Sequence, residues 1–230
     1  MPISPESFEV YLESGQKRTV AGVLDWPGWC RIGRDEDTAL SALADYQARY
    51  ARILRETAYA AALAAPVPTF TIVERLAGNA TTDFGVPERA PAWDLTPLDA
   101  ASARRYQLVL EAIWRGFDAA VAAASGAELR RGPRGGGRDL DGVVWHTLRA
   151  ERNYLARRGW KIGKVPDDDP VGAAALIRQG VLDALAAAMR GEAPERGPRG
   201  GAIWPARYFV RRIAWHVLDH LWEIEDRVIS

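Results

Sequence analysis

The second half of the sequence constrains the fold most, because it contains four long segments in which apolar residues recur at helical spacing. The predicted helices span residues 98–124, 139–159, 169–191 and 204–228. Their start signals are Asp139 or Asp141, Asp169 with Pro170, and Pro205, and their stop signals are Gly126, Gly159 and Gly191. Four helices of this length are expected to pack as a four-helix bundle.

The first part of the chain has a different pattern, typical of a small α+β domain. Apolar and β-branched runs at residues 7–13 and 18–25 predict a hairpin, and a Pro-Gly turn then leads into a third short strand. Helical spacing predicts a helix within residues 35–58, and residues 68–76 predict a returning strand. We therefore expect an α+β fold in which a small β-β-β-α-β domain precedes the bundle.

A stretch rich in glycine, proline and threonine separates these two patterns. Such a composition is typical of a boundary between domains. The predicted organisation is a small α+β domain at residues 1–78, a linker at 79–97 and a helical domain at 98–230.

Composition and charge limit the classes of function. The chain has 30 lysine and arginine residues and 30 aspartate and glutamate residues, so no excess positive charge favours binding to a nucleic acid. It begins without a basic segment followed by an apolar one, and alanine-rich runs such as residues 58–66 are too short to span a bilayer. A single cysteine, Cys30, rules out an intrachain disulfide, and the heavy use of alanine, arginine and glycine suggests a GC-rich bacterial genome. We expect a soluble cytoplasmic protein that binds neither nucleic acid nor membrane.

A short basic repeat, RGPRGG, occurs at residues 131–136 and again at residues 196–201. Two flexible basic loops are the simplest interpretation. If both loops lay at one end of the bundle, they would instead form an entrance that attracts an anionic substrate.

The histidines are the strongest candidates for a functional site. The chain has only three, and His216 and His220 lie four residues apart, one turn above each other on a helix face. His146 lies on the second predicted helix, and ligands from two helices can converge in a bundle core. Val217 follows His216, so the chain lacks the glutamate of the H-E-x-x-H metalloprotease motif.

We therefore predict a divalent metal site formed by His146, His216 and His220. Zinc fits three imidazoles and one open position best, and nickel or iron are alternatives. The competing interpretation is that the three are ordinary histidines of the core or surface.

The helical half, about residues 95–230, resembles the DinB/YfiT-like superfamily of four-helix metalloenzymes. The residues that carry the resemblance are VVWHTLRAERNYL and WHVLDHLWEIEDR, a histidine followed far downstream by H-x-x-x-H. By position, His146, His216 and His220 match the metal ligands of that family. The resemblance implies an up-down-down-up bundle, which would place the RGPRGG loops at opposite ends. It also implies thiol S-transferase chemistry with a low-molecular-weight thiol such as mycothiol or bacillithiol, a small-molecule substrate and a homodimer.

The polar residues beside the histidines are candidates for catalysis. Arg212, Glu223 and Arg227 lie on the same stripe of the last helix, and Arg149 shares the face of His146. We expect Glu223 or a nearby carboxylate to carry protons and Arg149 or Arg212 to hold an anionic group, in a thiol transferase or a hydrolase. Alternatively, Glu223 is a fourth metal ligand and the site is purely structural.

The N-terminal half is similar, over about 40 residues, to the HicB-like antitoxin fold. The resemblance rests on a hairpin, the Pro-Gly turn DWPGWCRIG and the acidic-start helix DEDTALSAL. It implies an accessory domain. It also leaves open a non-catalytic function, in which the chain is a metal-binding or protein-interaction module and this domain holds a partner.

Overall fold

The computed structural model describes residues 7–63, 67–131, 137–192, 194, 196–197 and 201–229. The chain divides into two compact units, Met1–Thr96 and Pro97–Ser230. Residues 79–97, expected to be a linker, contain a short α-helix at Ala80–Phe84 and a 3-10 turn at Ala92–Leu95. Most of the two RGPRGG segments lies outside the described residues.

The first unit contains a four-stranded mixed sheet, which confirms the α+β class. The strands are β1 (Phe8–Ser14), β2 (Thr19–Val23), β3 (Cys30–Gly33) and β4 (Phe70–Ala77), and their order across the sheet is β3-β2-β1-β4. The predicted hairpin is present, because β1 and β2 pair antiparallel, and β4 returns to pair parallel with β1. Parallel pairing requires a crossover connection, which the helical segment between β3 and β4 provides.

That helical segment is two helices rather than the one expected. Helix α1 spans Glu36–Asp45 and α2 spans Gln47–Leu54, with a break at Tyr46. On α2, the ring of Tyr50 stacks on Trp29 at a centroid distance of 5.6 Å and its hydroxyl donates to the Pro27 carbonyl. The buried aromatic contact therefore sets the direction of α2. A third helix, α3 (Ala80–Phe84), follows β4.

The second unit contains four long helices at the predicted positions. They are α4 (Ala100–Ala123), α5 (Leu140–Arg157), α6 (Pro170–Met189) and α7 (Ala206–Arg227). Helices α4 and α5 each pack against both α6 and α7.

The residues predicted to start and end these helices lie at the observed helix ends. Asp139 and Asp169 are the N-caps of α5 and α6, where each carboxylate accepts hydrogen bonds from backbone N–H groups of the first turn. After α4, α5 and α6, the chain turns through three glycines with positive φ, namely Gly126, Gly159 and Gly191.

Helix α6 is long and apolar enough to cross a membrane by length and composition alone, with a mean hydropathy of 1.4. About 39% of this segment is buried within the protein. Core helices of water-soluble proteins pass the same test, so this single segment is weak evidence for a membrane span.

Candidate metal centre

The three histidines of the chain come together in the second unit. One ring nitrogen from each of His146, His216 and His220 lies within 4.8 Å of those of the other two. The ring centroids are 4.5 Å apart for the pair on α7, and His146 on α5 lies 5.1 and 4.8 Å from His216 and His220. The predicted convergence of ligands from two helices is therefore present, and the three histidines lie close enough together to hold a metal ion.

The burial of α7 explains how its histidines are held. Most residues of α7 are buried, including Val217, Leu218 and Leu221 between and beside the two histidines. His216 is 7% exposed and His220 is 9% exposed, whereas His146 is half-buried. The three histidines are therefore most accessible to solvent at His146.

Glu223 and Arg227 form a chain of hydrogen bonds that begins at His220. The Oε2 atom of Glu223 lies 2.6 Å from Nδ1 of His220, and its Oε1 atom accepts from Nη1 of Arg227 at 2.6 Å. A carboxylate on Nδ1 fixes the imidazole with its proton on Nδ1 and leaves Nε2 as the free donor for a metal. Glu223 is therefore placed to orient a ligand.

Burial and nearby polar groups set the protonation states of His146, His216 and Glu223. Burial, together with the charges of His220 and Arg138, lowers the pKa of His146 to about 4. Burial also lowers the pKa of His216 well below its usual value. The hydrogen bond from His220 lowers the pKa of Glu223 to about 2. At neutral pH, His146 and His216 are neutral imidazoles and Glu223 is a carboxylate.

One buried ring nitrogen lacks a partner. Nδ1 of His216 is buried, and it has no hydrogen-bond partner among the residues that the structure describes. A buried polar atom that makes no hydrogen bond costs roughly 1–3 kcal/mol. An ion between the three rings would relieve the crowding of polar nitrogens at this place. Nitrogens that share a tetrahedral zinc ion are about 3.4 Å apart, so the largest separation here, 4.8 Å, would have to shorten by about 1.4 Å.

Arg212, a candidate for holding an anionic group, lies in an aromatic enclosure. It is 5% exposed, and its guanidinium carbon lies within 5.2 to 5.9 Å of four ring centroids. The rings belong to Tyr154, Trp204, Tyr208 and Trp215. Nη2 of Arg212 donates to the hydroxyl of Tyr154, whose ring packs edge-on against His216 at 5.8 Å. The Arg212 charge is thus held by π faces beside His216.

Arg149, the other candidate, is exposed on α5. Its guanidinium lies 5.9 Å from the ring of Trp145, and its side chain lines a small recess of about 80 Å³ with Arg152 and Asp167. The positive charge of Arg149 contributes to the lowered pKa of His146. It is therefore close enough to act on His146 electrostatically.

Two further arginines near the site had no role predicted from the sequence. The charge of Arg138, just before α5, acts on both His146 and His216. Arg227, on the predicted polar stripe, holds Glu223 and lines an open cavity of about 310 Å³ together with Arg138. The four-residue spacing from Glu223 to Arg227 was a usable signal for that pair. No local pattern connects Arg138 to the histidines.

Comparisons with protein-family models, with curated proteins and with solved structures found no match for this chain. The resemblances to the DinB/YfiT-like superfamily and to the HicB-like fold stay predictions from the sequence.

Proposed function

We propose that this protein binds a divalent metal, zinc in preference to nickel or iron, through His146, His216 and His220, and acts as a metal-dependent enzyme. The observation that carries the proposal is the convergence of all three histidines of the chain from α5 and α7, with their nitrogens within 4.8 Å. The proposal includes a four-helix bundle of the DinB/YfiT-like type, in which α4 to α7 are the four helices.

The alternative of ordinary core histidines accounts less well for the same contacts. Three imidazoles that face one another disfavour each other's charged form, and at least one of their buried nitrogens has no hydrogen-bond partner in the described structure. Buried polar groups are almost always hydrogen-bonded. A metal satisfies neutral imidazole nitrogens without requiring any of them to be charged.

The contacts of Glu223 favour an open site over a closed structural one. A structural zinc site uses four protein ligands, whereas a catalytic one uses three and keeps one position open. Both carboxylate oxygens of Glu223 are engaged, one by His220 and one by Arg227. Glu223 therefore supports His220 rather than serving as a fourth ligand.

The surroundings suggest the kind of reaction. A divalent metal with three imidazole ligands supplies an open position at which a water or a thiol loses its proton near neutral pH. Arg138, Arg149 and Arg212 place positive charge around the histidines and favour a substrate with an anionic group. We propose a thiol S-transferase that uses a low-molecular-weight thiol such as mycothiol, or a hydrolase.

The test compares turnover by zinc-loaded and chelator-treated protein, with mycothiol and small electrophiles in one series and carboxylic esters in another. We expect turnover in one series, lost on chelation, restored by zinc and absent from a His216→Ala, His220→Ala variant. Equal turnover with and without metal would contradict the proposal. Turnover confined to the thiol series would identify the transferase.

A further inference from the structure

Arg227 makes more contacts than a salt bridge to Glu223 requires. It is the last residue of α7 and is 5% exposed. Besides donating from Nη1 to Glu223, it donates from Nε to the carbonyl of Arg130 at 2.7 Å and from Nη2 to the carbonyl of Arg138 at 2.8 Å. Its three nitrogens therefore hold three acceptors from three parts of the chain.

One of those acceptors connects α7 to the start of α5, and another connects it to the segment that follows α4. Arg138 directly precedes Asp139, the N-cap of the helix that carries His146. The carbonyl of Arg130 belongs to the segment that also pairs with the end of α7, where Leu129 and Val228 form an antiparallel bridge. Arg227 thus joins the C-terminal end of α7 to the N-terminal end of α5, the two helices that supply the histidines.

The backbone near Arg227 is shaped to this contact. A side chain at Gly137 would place its Cβ 2.9 Å from Nη2 of Arg227, closer than real Cβ contacts permit. A glycine at this position therefore lets the chain approach the guanidinium. Lysine could not replace arginine, because one ammonium group cannot present the planar fork of donors that reaches all three oxygens.

We propose that Arg227 is a positioning residue of the metal centre. Through Glu223 it holds His220 in the orientation that presents Nε2, and through the carbonyl of Arg138 it sets the start of α5 relative to α7. The inference rests on the proposed function, because it requires that the three histidines bind a metal. Groups that orient metal ligands typically change metal affinity by 10- to 100-fold when removed.

The experiment measures the zinc dissociation constant of the full chain, stripped of metal, by competition with a chromophoric chelator. We compare wild type with Arg227→Met, Arg227→Lys, Glu223→Gln and the Glu223→Gln, Arg227→Met double variant. We expect about 10-fold weaker binding for Arg227→Met and an intermediate loss for Arg227→Lys, which keeps a charge beside Glu223. In the double variant the Arg227 change should add less than it does alone, because both residues act along one path.

Arg207 provides a matched control on the same helix. It is 2% exposed and donates to the Tyr106 hydroxyl, the Pro97 carbonyl and the Asp99 carboxylate, toward the opposite end of α7. We expect Arg207→Met to lower stability and to leave the zinc dissociation constant unchanged.

The outcomes separate the inference from the proposed function. If wild type binds no zinc, the proposed function is wrong, and this inference falls with it. If wild type binds zinc and Arg227→Met binds it equally well, the inference alone is wrong. Equal weakening by Arg227→Met and Arg207→Met would show a general loss of stability and would also overturn it. If Arg227→Met does not fold, zinc binding by Arg227→Lys at wild-type affinity would overturn the inference instead.

Discussion

Glu151 is a fully buried carboxyl group outside the metal centre. Its side chain is fully buried on α5, and its Oε1 atom accepts a hydrogen bond from Nε1 of Trp114 at 2.7 Å. Its Oε2 atom has no partner among the described residues. Burial raises the pKa of Glu151 to about 7, although the nearby charge of Arg178 acts in the opposite direction. The folded protein therefore retains a proton on Glu151 that the unfolded chain loses at lower pH.

This difference between the folded and unfolded pKa of Glu151 predicts that the free energy of unfolding falls as pH rises. Glu151 titrates near its ordinary pKa of 4.5 when the chain is unfolded and at about 7 in the fold. Its favourable contribution is complete below about pH 4.5 and is lost as pH rises through about 7, a change of roughly 3 kcal/mol. Replacing Glu151 with glutamine should remove most of this dependence and stabilise the protein at pH 8. Urea unfolding of metal-free wild type and variant at pH 5 and pH 8 measures it, and an unchanged pH dependence would contradict it.

For individual residues, the sequence was sufficient to predict the three histidines as metal ligands. It was not sufficient to predict the contacts of Arg227, which orient one of them. The spacing of His216 and His220 is local and follows from helix geometry. The carbonyl partners of Arg227 lie 97 and 89 residues away in sequence, and no periodic pattern links them. The predicted roles of Arg149 and Arg212 in holding an anion stay predictions.

Among the helix ends, the one that follows α5 places a glycine at positive φ next to a close neighbour. Gly159 has φ of +80°, and an added Cβ would lie 2.9 Å from Cγ of Pro194. Gly191 ends α6 with φ of +75°, and an added Cβ there would meet nothing within 4 Å. The two glycines therefore share the same conformation and differ in the space around them.

Alanine substitutions at Gly159 and Gly191 separate the cost of a positive φ from the cost of crowding against Pro194. Gly191→Ala should lower the free energy of unfolding by about 1 kcal/mol, the cost of a left-handed backbone for a residue with a Cβ. Gly159→Ala should cost roughly 1 kcal/mol more, because Pro194 has to move. Denaturant unfolding of the two variants provides the comparison, and equal losses would show that the chain around Pro194 yields without cost.

Helix ends were predictable because capping depends on a few neighbouring residues. Asp139, Asp169 and the glycines that follow α4, α5 and α6 could be identified from local sequence. The break at Tyr46 could not, since helical spacing continues across it and the direction of α2 depends on the contact between Tyr50 and Trp29. The parallel pairing of β4 with β1 was also beyond the pattern, because alternation identifies a strand but not its partner.

At the scale of the whole molecule, the division into two compact units has a direct consequence. All three histidines, Glu223 and Arg227 lie in the second unit, Pro97–Ser230. A fragment of residues 97–230 should therefore fold as a helical protein and bind metal with the stoichiometry of the full chain. Circular dichroism and elemental analysis of the fragment test this, and a folded fragment without metal would show that the first unit is needed for the site.

Metal content of the full chain shows whether the three histidines form a metal centre. The protein, prepared without a histidine tag, is analysed for transition metals beside a His216→Ala, His220→Ala variant, with the fold of both checked by circular dichroism. We predict close to one metal ion per chain in wild type and almost none in the variant, because two of the three ligands are removed. Equal metal content in both proteins, or no metal in wild type after incubation with zinc, would show that the histidines do not form a metal centre.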